Sequence, residues 1–155
     1  MNASETPPCS IFIDKEGRWF FKGIEMVRRD FIRMFYQQMQ ADSEGRYIIT
    51  LAGDRCIVEV EDTPFVVWRT IVKTDDSLGK RYVLYLSDES EEELDPETLF
   101  VGKGNVLYCK VKAGMFPARF NRAAYYQLAE HIEEENGKYV ITSQGKRYLI
   151  GIKTS

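Results

Sequence analysis

Arginine side chains are concentrated where two helices are predicted to begin. Arg28 and Arg29 open the first helical pattern, and Arg119 and Arg122 flank the start of the second. A cation at a helix N-terminus opposes the helix dipole at a cost of about 0.3–1 kcal/mol, so each group of arginines calls for a nearby negative charge. That charge is either an internal carboxylate, which makes the arginines structural, or an external anion. A third interpretation leaves the side chains solvated.

Carboxylates at the end of a predicted strand are the second candidate group. Glu59 and Glu61 alternate along the strand and project from one face, and Asp62 follows directly. Paired carboxylates can hold a magnesium ion or divide acid and base roles between them. The alternative is a solvated sheet face that ends before Pro64. Glu61 and Asp62 are also the internal partners that the arginines could use, so both are candidate site residues.

Signals for catalysis are weak in this sequence. The single histidine, His131, lies in the second helical pattern without the neighbouring cysteines, histidines or strained serine that a zinc site or a catalytic triad requires. The segment Gly102-Lys103-Gly104 lacks the spacing and the following helix of a phosphate-binding loop, which indicates a turn. We therefore expect no catalytic residue, no metal and no cofactor. Activity through the carboxylates is the third-ranked alternative.

The composition is that of a globular protein of 155 residues, with 44% hydrophobic and 29% charged residues. A net charge of −3 argues against binding to nucleic acid polymers or anionic membranes, which attract basic proteins. No apolar run approaches the roughly 20 residues of a membrane span, and the N-terminus lacks the features of a secretory signal. We expect a cytoplasmic protein. Its three cysteines, Cys9, Cys56 and Cys109, are odd in number and widely spaced, which predicts inert thiols.

Charge is unevenly distributed along the chain. Residues 88–97 contain seven acidic residues and no basic one. This run predicts a solvated surface loop, because a calcium loop needs alternating oxygen ligands and a glycine at its turn. Residues 98–129 contain five basic residues and no acidic one, which makes this the most cationic stretch of the protein.

An internal repeat relates two segments that lie 92 residues apart. Residues 45–60 recur as residues 137–152, beginning with GRYIIT against GKYVIT. Each copy is typical of a β-hairpin that turns at a glycine, Gly53 in the first and Gly145 in the second. The residues predicted to face inward on the first hairpin are Cys56, Val58 and Val60.

A helical pattern precedes each predicted hairpin, over residues 29–39 and residues 122–132. Apolar residues recur there at three- and four-residue spacing, which predicts one buried face for each helix. Asn121 is placed to cap the second helix. The residues predicted to face the core are Phe31, Ile32, Phe35 and Met39 in the first helix, and Ala124, Tyr125, Leu128 and Ile132 in the second.

The predicted unit is therefore a strand, a helix and a hairpin, used twice. The leading strands cover residues 18–21 and 106–111, and residues 65–73 and 80–87 form a further predicted hairpin between the copies. This order indicates an α+β fold in which two helices lie on antiparallel sheet.

The domain organisation follows from these units. We expect a flexible tail over residues 1–10, an N-terminal subdomain over residues 11–62 and a C-terminal subdomain, containing the second repeat, over residues 63–155. Each half has too few residues to hold a core alone, so the two are expected to pack as one compact unit.

Three separated motifs, in order, span nearly the whole chain. They are Asp14-x-x-Gly17-x-Trp19 followed by an aromatic helix, Val60-Glu61-Asp62-x-Pro64-Phe65, and Ala118-Arg119-x-x-Arg122-x-x-x-Tyr126-x-Leu128. Over residues 11–152 the chain thereby resembles the bacterial family called domain of unknown function 1285. The resemblance implies a duplicated α+β core, a C-terminal half superficially like pleckstrin-homology folds, and a ligand site between the halves for an anion such as a nucleotide, with a role in signalling.

The chain departs from the family pattern at several positions. Residues 51–55 replace a proline and a Glu-Lys pair, Lys112 replaces an arginine before the second helix, and Pro117 replaces an acidic residue. Lysine lacks the planar fork with which arginine grips carboxylate or phosphate. These departures are compatible with the same fold and a different ligand.

The sequence thus predicts a non-catalytic bacterial protein that binds a small anionic ligand, such as a nucleotide, between its two halves. The predicted ligand-binding residues are Arg119, Arg122, Arg29, Arg28, Glu61, Asp62 and Lys112. The alternative is a protein-interaction module of pleckstrin-homology-like shape that holds a peptide or protein partner. Such a module would expose Phe65, Trp68 or Tyr85 on a contiguous patch.

Overall fold

The computed structural model describes residues 6–153. The chain divides into two compact units, one that ends at Pro64 and one that begins at Phe65. The fold is α+β, as predicted, because two helices accompany sheets that are mostly antiparallel. No helix among residues 6–153 is long and apolar enough to cross a membrane.

The N-terminal unit is built on a six-stranded sheet and one helix, α1 (Arg29–Gln38). Its strands are β1 (Pro8–Ile13), β2 (Trp19–Phe21), β3 (Ile24–Glu25), β4 (Gln40–Ala41), β5 (Tyr47–Leu51) and β6 (Asp54–Val60). Their order is β3-β2-β1-β6-β5-β4, and β1 runs parallel to β6 while the other neighbours are antiparallel. β1 begins inside the segment predicted as a flexible tail, of which residues 1–5 lie outside the described residues.

The C-terminal unit contains a seven-stranded sheet, a three-stranded sheet and the helix α2 (Arg122–Ala129). The strands of the larger sheet are β7 (Phe65–Asp75), β8 (Gly79–Leu86), β9 (Glu91–Glu93), β10 (Phe100–Val101), β11 (Leu107–Val111), β12 (Phe116–Phe120) and β16 (Gly151–Ile152), in the order β16-β10-β11-β12-β7-β8-β9. The smaller sheet consists of β13 (Ile132–Glu135), β14 (Lys138–Ser143) and β15 (Lys146–Leu149).

The two segments related by the 92-residue match both form hairpins, β5–β6 and β14–β15. Their registers are equivalent: Ile49 pairs with Cys56 in the first, and Ile141 pairs with Tyr148 in the second. Each turn contains two residues with positive φ, of which the second is glycine, an arrangement that type I′ hairpin turns require. The surroundings differ, because β6 joins β1 in the six-stranded sheet while β14 joins β13 in the three-stranded sheet.

The core of the N-terminal unit is centred on Trp19, which is fully buried. Its ring stacks on Phe35 with 6.1 Å between centroids and meets Tyr36 edge-on at 4.8 Å. The Tyr36 hydroxyl donates a hydrogen bond to the Pro64 carbonyl oxygen at 2.8 Å. Phe31, predicted to face the core, is exposed instead. The buried face of α1 runs through Ile32, Phe35 and Tyr36, and Phe31 lies about 100° away from Ile32 around the helix.

The predicted core face of α2 is correct at Ala124 and Leu128, which are fully buried, and wrong at Tyr125, which is exposed. The helix ends at Ala129, earlier than predicted, so Ile132 opens β13. His131 consequently lies in the turn after the helix and not within it. Its Nδ1 is 3.3 Å from the Lys80 Nζ.

The acidic segment 88–97 is not the solvated loop that its charge predicts. β9 adds three of its glutamates to the edge of the seven-stranded sheet by pairing with β8. Before β9, the side chain of Asp88 is mostly buried against Lys112, with 2.7 Å between Oδ2 and Nζ. The conformation of residues 88–97 therefore depends on two partners outside this segment, the edge of β8 and the side chain of Lys112. The charge pattern of the segment itself indicates neither of them.

Two of the three cysteines form a disulfide, which corrects the prediction of three inert thiols. Cys9 on β1 and Cys56 on β6 are 47 residues apart in sequence, and the pairing of these strands brings their Cα atoms to 4.9 Å. Cys109 is a free thiol and is fully buried. Burial, together with Glu92 and Asp95, raises the pKa of this thiol far above its ordinary value, so Cys109 is unreactive.

Candidate ligand site

Asp30, in the first turn of α1, supplies a negative charge close to the arginines. Arg28 donates from Nε to Asp30 Oδ1 at 3.0 Å and from a terminal nitrogen to Oδ2 at 2.8 Å. This side-chain hydrogen bond raises the pKa of Arg28 and lowers the pKa of Asp30. Arg29, the first residue of the helix, is half-buried. The compensating carboxylate of Arg28 is therefore Asp30, in the first turn, where the helix dipole also favours an acid.

Glu61 and Asp62 follow β6 and are exposed. The Glu61 Oε1 accepts a hydrogen bond from the Lys15 backbone N–H at 2.9 Å, so this carboxylate supports the loop between β1 and β2. Among residues 6–153, no three side chains of His, Cys, Asp or Glu form a group that could hold a metal ion.

The Asp14 motif is explained by loop geometry. Asp14 Oδ1 accepts from the backbone N–H of Arg18 at 2.8 Å, and Oδ2 accepts from the Arg18 Nε at 2.7 Å. Asp42 and Arg46 repeat both hydrogen bonds at 2.8 Å in the loop between β4 and β5. This second repeat was not predicted, although the sequence contains its signal, the shared pattern Asp-x-Glu-Gly-Arg. Its residues fix two hairpin loops of the N-terminal unit.

Lys112 takes part in a partly buried ion pair of the C-terminal unit. Its Nζ lies 2.7 Å from Asp88 Oδ2 and 2.8 Å from the Ser90 hydroxyl. Desolvation alone would raise the pKa of Asp88, but the hydrogen bonds from Lys112 and Ser90 outweigh it and hold that pKa below its ordinary value. Lys112 therefore has an internal carboxylate as its partner.

We expect Lys112→Met to lower the free energy of unfolding by about 1–3 kcal/mol, because the Asp88 carboxylate would lose its cation. A depressed pKa stabilises the fold above the unfolded value of about 3.9, and this contribution disappears as the pH falls through the folded pKa. The difference between the native protein and the variant should therefore shrink below about pH 4. Urea unfolding at neutral and acidic pH measures both effects. Lys110→Met, at an exposed position on β11, two residues before Lys112, is the control; equal losses in the two variants would contradict the role of the ion pair.

Arg119 lies on β12, between the buried residues Ala118 and Phe120. Side chains alternate along a strand, so Arg119 projects from the face opposite to theirs. Its neighbour across the ladder is Tyr108, whose ring stacks on Phe100 with 5.1 Å between centroids. Arg119 thus belongs to an aromatic row on one face of the seven-stranded sheet.

Arg122 has different surroundings. It is exposed at the first position of α2, whose first turn contains no acidic residue. Asn121 caps the helix as predicted, because its side-chain oxygen accepts from the Ala124 N–H at 2.8 Å. Within the described part of the chain, Arg122 makes no ion pair, in contrast to Arg28.

A cavity of about 410 Å³ lies beside α2 in the C-terminal unit. Tyr125 lines it and stands three residues after Arg122, a spacing that places both on one side of the helix. The lining residues are Val101, Asn105, Leu107, Tyr125, Ala129, Ile132, Glu134, Tyr139 and Ile150. None of these residues was predicted as a site residue, although Tyr139 stands at a repeated position, equivalent to Tyr47.

The fold and this cavity define a small α+β protein with a candidate small-molecule site, and the fold is similar to that of solved structures. No protein-family model and no curated protein sequence matches the chain. A DUF1285 family protein from Silicibacter pomeroyi DSS-3 matches with a TM-score of 0.76 and 19% identity, over 94% of this chain and 81% of that one. One from Shewanella baltica OS155 matches with a TM-score of 0.62 and 18% identity, over 79% of this chain and 91% of that one. The chain therefore has the fold of DUF1285 family proteins, which confirms at the level of the fold the resemblance inferred from the three motifs.

Proposed function

We propose that the C-terminal unit binds a small anion, such as a nucleotide, in the cavity beside α2, with Arg122 as its cationic contact. The observation that carries this proposal is an exposed arginine at a helix start that lacks an acid, one helical turn from a cavity lined by two tyrosines. The cavity volume of about 410 Å³ falls in the range of roughly 300–1,000 Å³ that small-molecule sites occupy.

The chemistry of the lining suits a nucleotide. Tyr125 and Tyr139 offer aromatic rings on which a base can stack, and the Asn105 amide can both donate and accept at a base edge. Glu134 can accept from a ribose hydroxyl or an exocyclic amine. A phosphate would then lie toward Arg122, whose guanidinium can bind it through two parallel hydrogen bonds.

The other predicted site residues have smaller parts in this proposal. Arg119 is a neighbouring contact at most, since it projects from the sheet, and Lys112 is held by Asp88. Arg28, Glu61 and the other candidates of the N-terminal unit are not needed. A binding protein without a catalytic group suits a role in signalling, and we keep that role as part of the proposal.

Binding should raise the melting temperature in a thermal-shift experiment with nucleoside mono-, di- and triphosphates. A ligand at one hundred times its Kd stabilises the fold by about 2.7 kcal/mol, which corresponds to roughly 5–10 °C for a domain of this size. Arg122→Ala should weaken binding at least about tenfold, since a charge-assisted hydrogen bond contributes about 1.5–3 kcal/mol. Arg81→Ala, which removes a half-buried arginine paired with Glu93, is the control. If Arg122→Ala unfolds the protein, or no anion moves the melting point of the native chain, the proposal fails.

We also infer that the two halves arose by duplication. The segment from β2 to β6 and the segment from β11 to β15 share one element order, a pair of strands, a helix and three further strands. The equivalent hairpin registers support the same inference.

The alternative function, a peptide-binding module of pleckstrin-homology-like shape, has less support. Of the aromatic residues that would form its patch, Phe65 is buried, while Trp68 and Tyr85 are half-buried and contact each other at 6.2 Å between centroids. A pair of partly covered rings is a small surface for a peptide, so we rank this function second.

A further inference from the structure

A second cavity, in the N-terminal unit, has a different chemical character. It measures about 420 Å³ and lies against α1, which contributes Phe31, Met34 and Phe35 to its lining. Strand and loop residues, chiefly Phe21, Met26 and Leu51, supply the rest of its apolar lining. None of the described residues that line this cavity is charged. It is therefore suited to a hydrocarbon group and not to a nucleotide.

The mouth of this cavity exposes large apolar side chains to solvent. Phe31 is 43% exposed and Met34 is 46% exposed. Close in sequence to the lining residue Met26, Ile24 and Val27 are largely exposed as well. A contiguous apolar surface of this kind on a globular protein commonly marks a binding site, and methionine adapts its shape to aliphatic ligands.

Two cations stand over the aromatic walls of the cavity. The Lys22 Nζ is 5.3 Å from the centroid of the Phe21 ring, and the Arg28 guanidinium is 4.6 Å from the centroid of the Phe31 ring. Both rings line the cavity, so each cation contacts an aromatic ring of the cavity lining. Arg28 already pairs with Asp30, whereas Lys22 has no ion pair within residues 6–153. An apolar interior with a basic border is complementary to a molecule that has an aliphatic body and an anionic head.

We propose that the N-terminal unit binds a single-chain aliphatic carboxylate of the fatty-acid class in this cavity, with the chain among Phe31, Met34 and Leu51 and the carboxylate beside Lys22. This site is separate from the proposed nucleotide site in both residues and ligand chemistry. Each methylene that enters the cavity should strengthen binding about fourfold, until the chain fills the available volume.

The test is a calorimetric titration of the full-length protein with saturated carboxylates from six to twelve carbons, beside the alcohols of equal length. We expect affinity to rise about fourfold per methylene over part of the series and carboxylates to bind more tightly than alcohols. Met34→Gln should weaken binding of the longer carboxylates at least about tenfold, because it places an amide in the apolar lining. Lys22→Gln should remove the preference for the carboxylate and leave alcohol binding unchanged.

The control is Met115→Gln, at an exposed methionine in the C-terminal unit. Affinity that does not depend on chain length, or an equal loss in Met34→Gln and Met115→Gln with both variants folded by circular dichroism, would overturn the proposal. So would a concentration-dependent dimer that Met34→Gln dissociates, since a second copy would then be the occupant. Arg122→Ala should leave carboxylate binding unchanged, so this proposal and the nucleotide proposal fail independently.

Discussion

Reduction of the Cys9–Cys56 disulfide should lower the free energy of unfolding by about 4 kcal/mol. The two cysteines are 47 residues apart, and in the chain-entropy model a cross-link over that distance removes a corresponding amount of freedom from the unfolded chain. For a domain of this size, the loss corresponds to a fall in melting temperature of roughly 8–16 °C. Differential scanning calorimetry of oxidised protein and of protein unfolded, reduced and refolded measures this difference.

The double variant Cys9→Ala/Cys56→Ala provides the control, because a reductant should not change its melting temperature. Both cysteines are buried, so complete reduction has to be verified by mass spectrometry before the comparison. Equal melting temperatures for the oxidised and the fully reduced native sequence would show that β1 is held equally well without the cross-link.

Trp19→Ala should lower the free energy of unfolding by about 3–5 kcal/mol, because it removes the largest fully buried side chain and leaves a cavity between β2 and α1. Phe35 and Tyr36 would each lose a ring partner. Trp19→Phe should cost less, and for two reasons. It keeps an aromatic ring at this position, and it removes the indole Nε1, which has no hydrogen-bond partner among the described residues.

Urea unfolding of the native protein and of the two variants measures these costs. The slope of the free energy of unfolding against urea concentration should stay unchanged if only stability is altered. Trp68→Phe, at a half-buried position of the other unit, is the matched control and should cost less than Trp19→Ala. A similar cost for Trp19→Ala and Trp68→Phe would contradict the central place of Trp19 in the core.

The hairpins could be predicted because their information is local. A β-rich run, a glycine at the turn and a second β-rich run specify both the strands and their register, and the registers of β5–β6 and β14–β15 agree with the sequence match. The cap at Asn121 is local in the same sense, since its partner is the N–H of Ala124. The end of α2 was harder to place, because Ile132 fits both the helical pattern and the strand that it actually begins.

The features that the sequence missed depend on residues brought together by the fold. Cys9 meets Cys56 only because β1 inserts next to β6, which no spacing rule indicates. The acidic segment forms β9 because β8 offers it an edge, and Asp88 is buried because Lys112 arrives from β11 and its following turn. In each case a long-range partner overrides a correct local preference.

The candidate site also combines features that are local in sequence with features that depend on the fold. At α1 the negative charge beside the arginines is Asp30, only two residues from Arg28. At α2 no such acid is present in the first turn, a difference that the sequence already contains. The cavity beside Arg122 could not be predicted, because its lining combines α2 with residues of both sheets of the C-terminal unit.

The three glutamates of β9 also bear on how this protein behaves among its own copies. β9 is the outermost strand of the seven-stranded sheet, and an outermost strand presents free backbone groups that another molecule could extend. Glu91, Glu92 and Glu93 place three carboxylates along that border, of which Glu93 pairs with Arg81. A second copy approaching with the same strand would bring its own glutamates against them, so the charge discourages strand-by-strand polymerisation at this edge of the sheet.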